Sequence, residues 1–286
     1  MSKSWLQMLA AAGVAATVGT AAPERPVAAA PQPPYRSLVI LGDSLSDTGN
    51  AGRFSDGPVW VEVLAERMGA VATASQRGGA NYAVGGARLH GGAQSLRAQA
   101  DRYLGTLPPS GAGVGVLHVV FGGGNDLLAA PFAPNRATLV RDAVGSLRGI
   151  LDDLAAHGAR AFLVPNLPDI GVAPQVAAFG PQVRGLARTL SRDFNRALAA
   201  ALDGFVADQR RLDRAVTLHR LDVWALAETV MADPAAAGFR DVTRPCPGRG
   251  GCDGHLFWDG LHPTARAHAR LAGAALELVG AGAQVR

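Results

Sequence analysis

Three short apolar runs, SLVILG (37–42), VGVLHVVFG (114–122) and RAFLVPN (160–166), pass without alternating with polar residues. A strand with one wet face shows a period of two, so unbroken runs fit strands buried on both faces of a sheet. Segments of helical character lie between them. SDGPVWVEVLAERMG is expected to open a helix at Asp56 or Gly57, with Pro58 in the first turn and Gly69 as the stop. Leu139, Ala143, Leu147, Ile150, Leu151 and Leu154 recur at helical spacing and run out at Gly158. A long helix is expected over about 181–207, a fourth strand over AVTLHRLD (215–222), and a closing amphipathic helix over 264–280. Strands alternating with helices imply βαβ units, and hence an α/β fold with a mostly parallel sheet covered on both faces.

The chain has 286 residues, of which 48% are hydrophobic and 17% charged, enough to bury a large core. Its formal net charge is +4, carried by scattered arginines; Lys3 is the only lysine. Without a clustered basic footprint, no nucleic-acid partner is expected. At most, a transient contact with an anionic membrane surface fits this charge. The first 30 residues read as a secretory signal: Lys3, then an apolar run from Leu6 to Val18, then PVAAAPQPP with small residues suited to cleavage near Ala30, or near Ala22. The run is short for a membrane span, an N-terminal anchor being the alternative reading. Residues 31–36 read as a linker and 37–282 as a single domain, so the protein is expected to be exported, either secreted or periplasmic. The only cysteines, Cys246 and Cys252 in CPGRGGC, fit a disulfide in an oxidising compartment, with free thiols as the alternative.

In open α/β sheets, ligands bind beyond the carboxyl ends of the strands. Gly42-Asp43-Ser44 follows the first apolar run, GGGNDL with Asn125 follows the second, and PNLPDIG with Asn166 follows the third. The Gly-rich turn GGANYAVGGAR lies between the first two, and WDGLHPT brings Asp259 and His262 near the end. A serine hydroxyl needs a base, and the base needs a carboxylate to orient it. His262 precedes Pro263, which keeps Asp259 and His262 off a helix and on a loop, with Thr264 as a candidate cap for the helix that follows. Three donors could serve an oxyanion: the N–H of Ser44, the N–H of Gly85 and the side-chain amide of Asn125. Each piece alone reads as readily as a turn or a cap. GDSLS lacks the second glycine of G-x-S-x-G, FGGGNDL lacks the Gly-Lys-Ser/Thr of a phosphate loop, and no motif calls for a metal or another cofactor.

Taken in order, GDSLSDTGN, NYAVGGA, GGGNDL and DGLHPT resemble the GDSL (SGNH) hydrolase family. VPNLPDIGVAP is similar to a segment of the branch holding bacterial secreted esterases, lecithinase-like hemolysins and plant GDSL lipases. The resemblance runs from about Ser37 to Leu278. It implies a three-layer, flavodoxin-like α/β/α fold and cleavage of carboxylic esters through an acyl-enzyme, without cofactor. It also implies Ser44 as nucleophile, His262 as base and Asp259 as its acid, with Ser44, Gly85 and Asn125 as oxyanion donors and Gly86 as the alternative to Gly85. The implied partner is an ester substrate: an acyl ester, a lipid or an acylated glycan. An acyltransferase using the same site with an alcohol acceptor is the alternative, and a non-catalytic binding domain the third reading. Asp47 and Asn50 are candidates for lining the site or, the favoured reading, for capping the turn after Ser44; Phe257 and Trp258 are candidates for an apolar wall or for core packing. Of the other histidines, His255 is the one whose distance from the site needs checking.

Overall fold

A computed structural model describes residues 35–128, 130, 135–248 and 251–281. The expected signal and the linker up to residue 34 lie outside them. Four strands, β1 (Ser37–Gly42), β2 (Val116–Phe121), β3 (Ala161–Pro165) and β4 (Thr217–Leu221), form a parallel sheet in that order. The register pairs Gly42 with Phe121 and Pro165 with Leu221. Residues 80–84 run along the free edge of β1, with Ile40 N–H donating to Ala80 O (3.0 Å), Tyr82 N–H to Ile40 O (2.8 Å) and Val84 N–H to Gly42 O (3.1 Å). Counting 80–84 as an irregular second strand gives the order 2-1-3-4-5, the flavodoxin order.

Helices cover both faces. α1 (Trp60–Arg67) packs on α8 (Ala265–Ala281). α2 (Leu96–Leu104) packs on α4 (Arg136–Ala156), which packs on α6 (Pro181–Arg211). On β2, Phe121 meets the Trp60 ring edge-on at 6.0 Å, while His118 meets Tyr103 of α2 at 5.7 Å. Residues an odd number apart on a strand project to opposite faces, so those two rings mark the two layers. Phe162 of β3 joins the second layer through Phe205 of α6, ring centroids 5.2 Å apart. Short helices α3 (Gly124–Leu128), α5 (Pro174–Ala177) and α7 (Val223–Ala232) sit in the connections. A second, two-stranded sheet of β5 (Asp241–Pro245) and β6 (His255–Phe257) precedes α8.

The expected strands and long helices are present with ends shifted by a few residues. Two expected caps are not as read. α1 starts at Trp60, and its first free N–H, on Val59, is taken by the Glu62 carboxylate at 2.8 Å. Asp56 serves another helix: its carboxylate accepts from Ala265 N–H at 2.7 Å and so caps α8 from the far end of the chain. Thr264 does not cap α8; its buried hydroxyl donates to His255 O at 2.8 Å. The pair Cys246–Cys252 is a disulfide, and Cys246 N–H donates to Phe257 O at 2.9 Å, bracing the segment that leads to Asp259.

Candidate active site

β1 ends on Gly42, where a Cβ would lie 2.9 Å from Phe121 O of the neighbouring strand. Buried Gln99 of α2 fastens this end, accepting from Gly42 N–H and donating to Gly42 O, both at 2.8 Å. The chain then turns sharply. Ser46 N–H donates to Asp43 O (3.0 Å), and Trp60 Nε1–H donates to Ser46 Oγ (3.0 Å). Ser44 sits at the crest of this turn, 7% exposed, with a backbone N–H that has no hydrogen-bond partner among the described residues.

His262 reaches it from the other end of the chain. His262 Nε2 lies 3.0 Å from Ser44 Oγ, across 218 positions, and His262 Nδ1 lies 2.7 Å from Asp259 Oδ2. Asp259 Oδ1 accepts from Leu261 N–H (2.8 Å) and His262 N–H (2.7 Å), so one carboxylate shapes the loop and aims the ring. The loop is closed by Trp258 N–H on His262 O (2.8 Å) and by Gln175 N–H on Gly260 O (2.8 Å). Burial pushes the Asp259 carboxyl up, but the His262 N–H, the His262 ring and the Leu261 N–H outweigh it and hold the group below its ordinary value. A carboxylate against Nδ1–H leaves the other ring nitrogen to accept a proton from the serine.

Asn125, at the start of α3, lines the same cavity as Ser44 and His262. Its amide donates one hydrogen to Ala87 O at 2.9 Å, which orients the group and leaves its second hydrogen for a ligand. Gly85 behaves otherwise than expected. Its N–H donates to Asp47 Oδ2 at 2.9 Å and is therefore committed. What demands glycine at 85 is packing: a Cβ there would fall 2.2 Å from Cζ of Phe54. Gly86, left-handed at φ 78°, keeps an N–H with no partner among the described residues.

Asp47 and Asn50 do not line the cavity. Asp47 is fully buried and accepts from the N–H groups of Gly49, Asn50, Ala51 and Gly85, at 2.7 to 3.0 Å. The Asn50 amide donates to Asn81 O and Ala83 O, both at 2.8 Å. Together they tie the turn after β1 to the Gly-rich turn, because a buried turn must satisfy its backbone from side chains. Phe257 lines the cavity; Trp258 does not, its ring lying 6.4 Å from that of His262. His255 does not line the cavity and points Nδ1 toward Arg244 O at 3.5 Å. Asn166 is bound to Asp222 and Trp224 N–H at the start of α7.

Three neighbours were given no part in the site by the sequence. The Phe54 ring lies 5.1 Å from that of His262, tilted by 39°, and fills the space beside Gly85. Asp43, beside the serine, is buried, and burial with the nearby Asp126 carboxylate outweighs the Leu45 N–H and pushes its pKa up to about 7. His268 of α8 is buried with both ring nitrogens unpartnered among the described residues; burial and the nearby His262 pull its pKa down to about 3, so it stays a neutral ring. Asp43 was visible beside Ser44, but the surroundings of all three depend on burial created by distant segments.

The cavity extends from Ser44 and His262 between α7 and α8, with a volume of about 210 Å³ and mostly apolar walls. Serine, imidazole, carboxylate and free N–H donors at the mouth of an apolar cavity are the parts of an acyl-transfer site.

Comparison with known proteins agrees. The profile of the GDSL-like Lipase/Acylhydrolase family matches residues 38–275. A GDSL esterase/lipase of Arabidopsis thaliana is 26% identical over 86% of this chain and 87% of its own. Phosphatidylcholine-sterol acyltransferase of Aeromonas hydrophila is 25% identical over 85% and 90%. Lipase 1 of Photorhabdus luminescens is 30% identical over 51% of this chain, and there the match spans only 24% of the relative's length. A catalytic mutant of an acetylxylan esterase from Geobacillus stearothermophilus shares the fold, with a TM-score of 0.51 at 16% identity over 85% of this chain and 94% of its own. The chain belongs to the GDSL-like lipase/acylhydrolase family and is a carboxylic ester hydrolase of the α/β/α fold.

Proposed function

We propose that the protein cleaves esters through an acyl-enzyme on Ser44. Ser44 Oγ attacks the ester carbonyl while His262 Nε2 takes its proton and Asp259 steadies the imidazolium. The oxyanion is held by Ser44 N–H, the free hydrogen of Asn125 Nδ2 and the N–H of the Gly85–Gly86 turn; Gly86 is the better donor, because Gly85 is bound to Asp47. His262 then protonates the leaving alcohol. A water activated by the same ring attacks the acyl-enzyme, and the acid departs with Ser44 restored. The observation that carries this reading is the pair of contacts at His262, 3.0 Å to Ser44 and 2.7 Å to Asp259.

Kinetics on p-nitrophenyl esters test the roles. Ser44→Ala should abolish turnover. Asn125→Ala should lose about 100- to 1,000-fold in kcat, the usual cost of one oxyanion donor. Full activity in a folded Asn125→Ala variant contradicts its role.

The same acyl-enzyme could pass its acyl group to an alcohol, a second reading favoured by the likeness to the Aeromonas acyltransferase. Product analysis with added alcohols separates the two, since transfer yields a new ester in place of free acid. We also propose export, supported by the Cys246–Cys252 disulfide and by the signal pattern of residues 1–30. Intact mass of the protein from culture medium or periplasm reads the cleavage site directly.

A further inference from the structure

The cavity behind Ser44 has a shape that restricts what an ester can carry, and this inference rests on the hydrolase reading above. Its polar lining is the reactive set, Ser44, Asn125 and His262, together with Asp43, Asp169, His268 and Arg270. Otherwise the walls are mainly apolar side chains of two helices and the small sheet: Leu226, Val230 and Met231 from α7, Leu271 from α8, Leu256 from β6, and Phe239. Positions 226, 230 and 231 lie on one face of α7, while Ala225, Thr229 and Ala232 face solvent. That face borders open space of about 210 Å³, while Val230 also packs on Ala237 and Phe239. Unfilled apolar volume of this size destabilises a fold, which makes it room for a ligand.

We propose that this cavity is an acyl-chain tunnel that selects straight chains of about eight carbons. The size follows from scaling: an apolar cavity of about 150 Å³ holds the six carbons of benzene, so about 210 Å³ holds roughly eight. The acyl end enters the tunnel, and the alcohol portion stays on the open side of the serine.

The α7 wall is fixed by Arg188 of α6. Its guanidinium binds Asp169 Oδ2 at 2.6 Å and both Glu228 oxygens at 3.0 and 3.1 Å, and lies 4.9 Å over the Trp224 ring. Glu228 and Trp224 belong to α7, so Arg188 is a positioning residue for the tunnel.

The test is kcat/KM across p-nitrophenyl esters of 2, 4, 8, 12 and 16 carbons. Each buried methylene is worth about fourfold, so kcat/KM should climb from two carbons to a maximum near eight and fall beyond it. Met231→Trp fills the tunnel and should move the maximum to four carbons or fewer, with at least a tenfold drop at eight and little change at two. Arg188→Ala should flatten the ratio of eight-carbon to two-carbon activity. Binding of neutral 2-alkanones of matching length to Ser44→Ala, followed by calorimetry, reads the tunnel without chemistry. Affinity greatest near eight carbons supports the tunnel even if the wild type cleaves none of these esters, an outcome that would overturn the hydrolase reading instead. Activity that falls steadily from two carbons, or alkanone affinity indifferent to length and to Met231→Trp, overturns the proposal.

Discussion

At the residue scale, Ser44, the proposed nucleophile, stands between two carboxylates with opposite histories. Asp47 is satisfied by four backbone N–H groups and builds the turn. The Asp43 carboxyl accepts from Leu45 N–H at 3.0 Å, and its burial near Asp126 pushes its pKa from 3.8 to about 7. A carboxyl with a raised pKa in the fold lends stability that is complete below its unfolded value, near pH 4, and is lost as pH rises toward 7. Thermal unfolding of the wild type should therefore fall over that window relative to Asp43→Asn, which keeps the acceptor and cannot ionise. Parallel melting curves for the two proteins from pH 4 to 8 would remove this account of Asp43. Ser44, Asn125, Asp259 and His262 were legible because they are chemistry-bearing types at turns following apolar runs. Gly85 was legible as a special glycine, but not its reason: the Asp47 carboxylate and the Phe54 ring that occupy its surroundings arrive from 38 and 31 positions earlier.

At the element scale, periodicity identified β1 to β4, α1, α4, α6 and α8, since those segments carry buried residues at regular spacing. It missed α2 and α7. α2 has a low share of apolar residues, burying Leu96, Gln99, Ala100 and Tyr103, and buried Gln99 breaks the apolar stripe because it holds the end of β1. α7 is apolar on a face that meets a cavity, with only Val223 and Val230 buried. Caps were misread where the partner is distant: Asp56 serves α8, not α1. The small sheet β5–β6 was equally hidden, being short, bulged and largely exposed. Its disulfide closes a seven-residue loop, which in the chain-entropy account is worth about 2 kcal/mol. Replacing both cysteines by serine should lower stability by about that amount in denaturant titration. Because Cys246 is hydrogen-bonded to Phe257, the change should also lower kcat, by loosening the loop that carries Asp259 and His262. Equal stability with and without the disulfide would show that the loop needs no brace.

At the scale of the whole molecule, one parallel sheet sets the site by bringing the carboxyl ends of its strands to a common rim. The strand pattern made this layout readable, and the ordered motifs made the site readable. The walls were not readable, because the tunnel is built by α7, α8 and β6, which meet only in the folded chain. Its central consequence is that a hydroxyl near the front of the chain and an imidazole near its end lie 3.0 Å apart, the pair proposed to act as one nucleophilic unit. Labelling with an alkyl fluorophosphonate, read by intact mass and peptide mapping, tests this most directly. The account predicts a single adduct on Ser44, absent in Ser44→Ala and formed far more slowly in His262→Ala; an adduct mapped to another residue, or labelling of Ser44 at an undiminished rate in folded His262→Ala, would contradict it.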